Sequence, residues 1–105
     1  MAALERLLAS LEGFEWDAGN SDKSWRRHAV SQLEAEQVFF NQPIVAQAGS
    51  RQGGEQRFFV LGRSDAGREL TIVFTARGKL VRVISARPMS RRERSVYAQA
   101  KPSAD

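Results

Sequence analysis

The stretch between residues 57 and 100 restricts the possible folds most, because it combines three strand-like runs with two tight-turn signals. The runs are rich in Phe, Val, Ile and Thr, whose side chains fit a pleated, half-buried surface. The runs are Arg57–Arg63, Glu69–Thr75 and Leu80–Arg87, and the turn signals are Asp65-Ala66-Gly67 and Arg77-Gly78-Lys79. Each turn signal contains a glycine where a tight reversal needs a positive φ. The stretch therefore predicts a three-stranded antiparallel meander.

A helix is expected directly after the third run. Pro88 ends the strand, because proline has no N–H group to donate to a strand ladder. Ser90 and Glu93 stand three residues apart, which is the spacing of a capping box at a helix N-terminus. We therefore predict a helix that begins near Ser90 and continues through Tyr97.

The first seventeen residues predict two further elements. Four leucines between residues 4 and 11 have the one-face spacing of an amphipathic helix, so we predict a helical extension over Met1–Gly13, capped by Gly13. The run Phe14-Glu15-Trp16-Asp17 alternates aromatic and acidic residues, as a short strand with one buried face does. We expect this strand beside the meander, as the fourth strand of one sheet.

Two helices and a loop are predicted before the meander. The first helix covers Asp22–His28, and the second begins at the capping box of Ser31 and Glu34 and ends near Phe40. The segment Ile44–Gly54 predicts a short strand that passes into a mobile, polar, glycine-rich loop. The helix stop is Asn41-Gln42-Pro43, and the core candidates are Trp16, Trp25, Leu33, Val38, Phe39 and Phe40.

These elements indicate an α+β protein with one domain over residues 14–100. We expect helices packed on one face of a small, four-stranded, mainly antiparallel sheet, with the last helix following the meander. Residues 101–105 are predicted to be a flexible tail. The order of elements is then helix (the extension), strand, helix, helix, three strands and helix.

Composition excludes several classes of function. The chain contains no cysteine and one histidine, so a zinc site and thiolate chemistry are not expected, and we predict no metal and no cofactor. No apolar run approaches the ~20 residues of a membrane span. The N-terminus lacks the pattern of a signal peptide. We expect a cytoplasmic protein that does not bind membranes.

Charge is distributed unevenly along the chain. Residues 51–101 carry twelve Lys/Arg and four Asp/Glu, whereas residues 1–50 carry four and seven. This asymmetry predicts a basic face that meets a phosphate backbone or an acidic protein. A solvated surface that keeps the protein soluble is the simpler alternative, and basicity alone does not separate the two.

The arginines suggest one kind of chemistry. When a ribose 2′-OH attacks the adjacent phosphate, negative charge builds on phosphorus, and fixed guanidinium groups stabilise that charge. Arginines at strand ends and at a helix start can converge at one end of a small sheet. The candidate catalytic residues are His28, Arg63 and Arg87, and the candidate RNA-binding residues are Arg27, Arg91, Arg92 and Tyr97.

Each candidate also has a structural alternative. His28 is the only side chain that titrates near neutrality without perturbation, so we predict that it is the general acid–base, although a histidine at a helix end is often structural. Strict alternation places Arg87 on the strand face of Val81 and Val83, where it could reach a ligand. Arg63 could equally face solvent, and the ring of Tyr97 could pack on the sheet instead of stacking on a base.

Taken together, several segments resemble the BrnT toxin family, the ribonuclease partners of BrnT/BrnA type II toxin–antitoxin systems. The resemblance covers about residues 14–100. The segments are FEWD at 14–17, RH at 27–28 with VS at 30–31, VFF at 38–40, LGRSDAGREL at 61–70, IVFTARG at 72–78, VRVISAR at 81–87 and SRRERSVY at 90–97. The family's usual glycine after the histidine is replaced here by Ala29.

The resemblance implies a RelE-like fold and a cytoplasmic bacterial or archaeal protein that cleaves RNA and arrests growth. It also implies a BrnA-like, DNA-binding antitoxin that neutralises the toxin, forms an oligomer with it and carries it to operator DNA. The residues themselves leave one alternative open. The same basic face could belong to a non-catalytic module that docks an acidic protein partner or nucleic acid.

Overall fold

The computed structural model describes residues 9–52 and 55–100, which form two helices and five strands followed by a third helix. The elements are β1 (Gly13–Glu15), α1 (Ala18–His28), α2 (Gln32–Phe40), β2 (Ile44–Gln52), β3 (Glu55–Arg63), β4 (Glu69–Arg77), β5 (Leu80–Pro88) and α3 (Arg91–Ala100). Ala9 and Ser10 are helical, but most of the predicted N-terminal extension and the predicted tail lie outside the described residues. Gly13 does not cap a helix as predicted, because it opens β1.

The sheet has five strands, in the order β1-β5-β4-β3-β2, so the prediction of four strands was wrong. The additional strand is β2, which occupies nine residues where we predicted a short strand and a loop. It pairs antiparallel with β3, with an irregularity between Gln47 and Arg51. A long partner strand supplies the backbone hydrogen bonds of β2, so a polar, glycine-containing sequence can be extended without a strong apolar pattern.

The meander and the position of β1 agree with the sequence. β3, β4 and β5 are consecutive and antiparallel, and β1 lies beside β5, to which it is parallel. Gly67 and Gly78 have φ values of 91° and 61°, the left-handed conformations that the turn signals predicted. One bulge interrupts the regular pairing of β4 with β5 between Val73 and Phe74.

One face of the sheet is covered by α1 and α2. Alternate residues of β4 point to this face, where Leu70, Ile72 and Phe74 are buried with Val38 of α2. Phe74 packs edge-on against Phe39 with 5.2 Å between ring centroids. This layer contains the hydrophobic core.

The third helix packs on the opposite face, which corrects the prediction that the helices share one face. Thr71 lies between two core residues of β4, so its side chain points away from the core. Its hydroxyl donates a hydrogen bond to Glu93 of α3 at 2.9 Å. The sheet is therefore the middle of three layers.

The predicted core was correct only in part. Val38 is buried and Phe39 is partly buried, but Leu33 and Phe40 are 65% and 75% exposed. Trp16 packs against the core and donates its indole N–H to Glu36, whereas Trp25 is exposed on α1. Nine residues of α2 can present only a narrow stripe to the sheet, which is why neighbouring apolar residues of this helix face solvent.

Candidate nucleic-acid interface

Most of the predicted site residues converge at one end of the sheet. Arg63 at the end of β3 pairs with Glu69 at the start of β4, and Leu70 pairs with Pro88 at the end of β5. The first turn of α3 follows within three residues of Pro88. The ends of three strands and the start of a helix thus meet at one place, as the sequence suggested.

Arg68 brings the end of α1 to the same place. Its Nη1 donates to the Ala29 carbonyl at 3.0 Å and to Glu34 Oε1 at 2.8 Å, and its Nη2 donates to the His28 carbonyl at 3.2 Å. Sequence reasoning missed this residue. Two of its three partners are backbone carbonyls, which leave no recognisable pattern in a sequence.

His28 and Arg27 therefore lie at this end of the sheet, in the last turn of α1. Arg27 is exposed and His28 is half-buried. Within the described part of the chain, no hydrogen bond or ion pair joins the His28 imidazole to Arg63 or Arg87. Because α1 packs on β5 and the side chain of Arg87 points to the opposite face, the sheet edge separates the two candidate groups.

Arg63 is the most accessible of the predicted catalytic side chains. Its guanidinium carbon lies 5.9 Å from the centroid of the Tyr97 ring, within reach of a cation–π interaction, and one nitrogen lies 3.7 Å from Glu69. The side chain is half exposed. Tyr97 itself is only 2% exposed, so its ring supports Arg63 from below and is not an open platform for a base.

Arg63 also lines a cleft beside the β3–β4 turn, which we call the hairpin cleft. Its lining residues are Asn41, Gln42, Arg63, Ser64, Asp65, Gly67 and Tyr97. The cleft has a volume of about 420 Å³, within the range of ~300–1,000 Å³ typical of small-molecule sites. It presents one cation, one carboxylate and two side-chain amides.

Hydrogen bonds fix the walls of the hairpin cleft. The Asn41 side-chain amide donates to the Arg63 carbonyl at 2.9 Å and to Asp65 Oδ1 at 3.0 Å. The backbone N–H of Asp65 donates to the side-chain oxygen of Gln37 at 2.9 Å. The sequence signals for Asn41, Gln42 and Asp65 were a helix stop and a turn, so their place in a cleft was not predicted.

Arg87 lies on the face opposite the one that we predicted. Val83 pairs with Phe74 and Ser85 pairs with Val73, so Ile84 has no partner across β4. This bulge reverses the alternation: Val83 points to the core, and so does Ala86. Arg87 therefore points towards α3.

Arg87 is held there by Glu93. Nη1 and Nη2 of Arg87 donate to the two carboxylate oxygens at 2.7 and 2.8 Å, a bidentate ion pair. Glu93 also accepts from the Ser90 backbone N–H at 2.8 Å and from Thr71. The Arg87 side chain, the Ser90 N–H and the Thr71 hydroxyl lower the pKa of Glu93 to about 2, and Glu93 in turn raises the pKa of Arg87.

The predicted capping box is confirmed, because the Ser90 hydroxyl accepts from the Glu93 backbone N–H at 3.1 Å. Arg91 and Arg92 in the same turn are exposed. Arg92 borders an apolar groove between α3 and the β2–β3 edge of the sheet, which we call the α3 groove. The groove is lined by Ile44, Phe59, Leu61, Arg92, Glu93 and Val96.

Two further classes of site were considered among residues 9–52 and 55–100. No group of three His, Cys, Asp or Glu side chains there is placed to hold a metal ion. No helix in the same ranges has the length and apolar character needed to cross a membrane.

The fold and this end of the sheet define the class first: a small α+β protein with arginines gathered at strand ends, an arrangement suited to binding polyanions. The chain belongs to the family described as "Ribonuclease toxin, BrnT, of type II toxin-antitoxin system", whose sequence model matches residues 16–93. This confirms the family resemblance of the sequence. Curated proteins gave no sequence match.

A solved structure supports the fold independently. The chain resembles the crystal structure of the Brucella abortus ribonuclease toxin BrnT with a TM-score of 0.56 and 18% sequence identity. The similarity covers 75% of this chain and 97% of the Brucella chain. At this identity the likeness concerns the fold alone.

Proposed function

We propose that this chain is a metal-independent endoribonuclease that cleaves RNA by attack of a ribose 2′-OH on the adjacent phosphate. The observation that carries the proposal is the Arg63 guanidinium, which is half exposed at the hairpin cleft and supported by the buried ring of Tyr97. A cation fixed in this way needs little reorganisation to bind a phosphate, and it stabilises the charge that grows on the phosphate during cleavage.

The other candidate residues surround Arg63. Arg91 and Arg92 at the start of α3, with Arg27 at the end of α1, present exposed guanidinium groups that would bind neighbouring phosphates of the RNA. His28 is our proposed general acid–base. The bonded RNA must then pass the sheet edge between α1 and α3 to bring its scissile phosphate within reach of both His28 and Arg63.

Arg87 has a more restricted part in this proposal. An arginine has five N–H donors, and the bidentate pair with Glu93 leaves donors on the other edge of the guanidinium. The carboxylate neutralises much of its charge, so Arg87 would contribute less to phosphate binding than Arg63. We propose that Arg87 mainly positions the first turn of α3, and therefore Arg91 and Arg92, and contacts RNA only through its remaining donors.

The biological role follows from the family. We propose that cleavage of cellular RNA in the cytoplasm arrests growth, and that a BrnA-like antitoxin neutralises the chain by forming an oligomer with it. Contact with operator DNA would occur only through the antitoxin.

Cleavage of a labelled, structured RNA in the presence of EDTA tests the enzymatic proposal. The purified protein should leave 2′,3′-cyclic phosphate ends. Arg63→Ala should lower the rate about 100-fold or more, the loss typical of removing one group that stabilises transition-state charge. Arg77→Ala, an exposed arginine at the opposite end of the sheet, is the matched control and should change the rate less than about twofold. His28→Ala tests the acid–base assignment separately.

A second candidate function, the non-catalytic binding module, is favoured by one observation. Glu93 already occupies Arg87, and the sheet edge separates Arg87 from His28, so two of the three predicted catalytic groups are not joined in the free chain. Under this alternative, the folded protein binds RNA or an acidic protein but releases no cyclic phosphate. Absence of cleavage by the folded wild-type protein at salt concentrations that permit RNA binding would favour the module over the enzyme.

A further inference from the structure

The α3 groove leaves apolar surface uncovered. Phe59 and Val96 are 36% and 48% exposed, and Ile44 and Leu61 complete an apolar floor on the sheet. Phe59 and Leu61 are alternate residues of β3, and Ile44 pairs directly with Leu61, so these three side chains share the face on which α3 packs. A contiguous apolar surface of this kind on a small protein usually marks a site where another protein binds.

The position of the groove favours a helical occupant. On the core face, α1 and α2 lie side by side over the sheet, whereas α3 is the only helix on the opposite face among the described residues. β2 forms the edge of the sheet, so the groove is open along that side. A second helix lying beside α3, with apolar residues at positions i, i+3 and i+4, would fill the groove as amphipathic helices fill grooves in other complexes.

Charge at the groove identifies the polar character of the occupant. Glu93 is the only carboxylate among its lining residues, and the bidentate pair with Arg87 neutralises it. Arg92 is exposed and stands at the rim. An RNA strand would leave four apolar side chains without a suitable partner, whereas a protein helix with an apolar stripe and acidic flanks matches both the floor and the rim.

We propose that the α3 groove is the docking site for an acidic, amphipathic helix of the antitoxin. The identity of the partner rests on the proposed function, but the surface is assigned from its geometry. A helix in this groove would cover Arg92, one of the proposed phosphate-binding residues, and would pack against α3, whose Tyr97 supports Arg63. Binding of the antitoxin would thereby compete with binding of RNA at the adjacent end of the sheet.

The test uses the protein encoded by the reading frame beside this gene as the probe, and measures its dissociation constant for the full chain. Val96→Glu and Phe59→Glu place a charge in the groove and should each weaken the complex by about 30-fold or more, the effect of losing an interface hot spot. Leu33→Glu and Phe40→Glu are matched controls, because both side chains are exposed and belong to α2 on the opposite face. The controls should change the dissociation constant less than about threefold.

The outcomes separate this inference from the proposed function. Val96→Glu alone should cleave RNA at the wild-type rate, yet the partner should no longer inhibit it. If Phe59→Glu does not fold, Val96→Glu decides, because its side chain is half exposed on a helix. The inference is overturned if the partner does not bind the wild-type chain, if both groove variants bind normally, or if the controls weaken binding equally. A wild-type chain that forms the mapped complex but cleaves no RNA would contradict only the enzymatic proposal.

Discussion

The two faces of the sheet are built by different physical means. On the core face, α1 and α2 bury aliphatic and aromatic side chains around Phe74, and the polar groups lie at the margins. On the opposite face, α3 is attached through the ion pair of Arg87 with Glu93, the hydrogen bond from Thr71 and the buried ring of Tyr97. The proposed RNA-binding residues and the α3 groove belong mainly to this second face.

This difference separates stability from function. Apolar burial is proportional to area and tolerates no charge, so a closed apolar layer cannot also present guanidinium groups to a ligand. A directional polar network holds one helix in a defined position and leaves the neighbouring surface open. The core face would therefore account for most of the free energy of unfolding, and the α3 face for most of the binding.

The largest expected effect compares two phenylalanines on neighbouring strands. Phe74→Ala should lower the free energy of unfolding by about 3–5 kcal/mol, because it empties a fully buried position among Phe39 and Phe58. Phe59→Ala on the α3 face should cost about 1 kcal/mol, because its side chain is already partly in water. Urea denaturation measures both values. Equal losses would show that the two faces contribute alike and would contradict the comparison.

A smaller effect is expected when the polar attachment of α3 is cut. Glu93→Ala removes the partner of Arg87 and of Thr71 together with half of the capping box, and should cost about 2 kcal/mol at pH 7. Glu69→Ala is the control, since its contact with Arg63 is 3.7 Å long and exposed; it should cost less than about 0.5 kcal/mol. Hydrogen exchange should show faster opening of α3 in Glu93→Ala and unchanged protection in β4.

The same carboxylate predicts a dependence of stability on pH. The pKa of Glu93 is lowered from 4.5 to about 2 in the folded protein, so the unfolded chain binds more protons between these values. The stabilisation is complete above about pH 5 and is lost as the pH falls towards 2. Because the pair is partly exposed to solvent, we expect this loss to be about 1–2 kcal/mol.

Glu93→Gln provides the check, because glutamine cannot titrate. Urea midpoints at pH 7, 5 and 3 should fall less steeply in Glu93→Gln than in the wild-type protein. Some decline should remain in the variant, since hydrogen bonds from the Asn20 backbone and from Arg82 also lower the pKa of Asp17. Identical slopes in the two proteins would show that Glu93 does not titrate as the geometry implies.

Local sequence signals predicted the parts of the fold that depend on neighbouring residues. The glycine turns, the capping boxes at Ser31 and Ser90, and the meander each rest on residues a few positions apart, and all three are confirmed. β2 was missed because its stability comes from pairing with β3 and not from its own apolar pattern. The face on which α3 packs was missed because no local signal distinguishes one side of a sheet from the other.

The candidate site shows the same limit. Residues at strand ends could be predicted to converge, because an antiparallel meander brings alternate strand ends together. The orientation of Arg87 could not, since a single unpaired residue, Ile84, reverses the alternation on which the prediction relied. Arg68 escaped prediction for another reason: its partners lie 34 or more residues away and are mostly backbone carbonyls.

The smallest expected effect concerns the joint between the two helices of the core face. Ala29 has a φ of 54°, a left-handed conformation that costs a residue with a Cβ more than it costs glycine. Its backbone N–H donates to the Trp25 carbonyl and its own carbonyl accepts from Arg68, so the surrounding structure imposes the conformation. Ala29→Gly should therefore raise the free energy of unfolding by about 0.5–1 kcal/mol.

Gly78→Ala is the matched reversal of this change. Gly78 has a φ of 61° in the β4–β5 turn, and a Cβ there would meet no atom within 4 Å, so backbone strain is the main cost. Its substitution should lower the free energy of unfolding by about 1 kcal/mol. If Ala29→Gly destabilises the protein instead, the α1–α2 joint gains more from the smaller freedom of alanine in the unfolded chain than it loses to strain. The glycine that the family usually has after the histidine would then serve something other than the conformation of this joint.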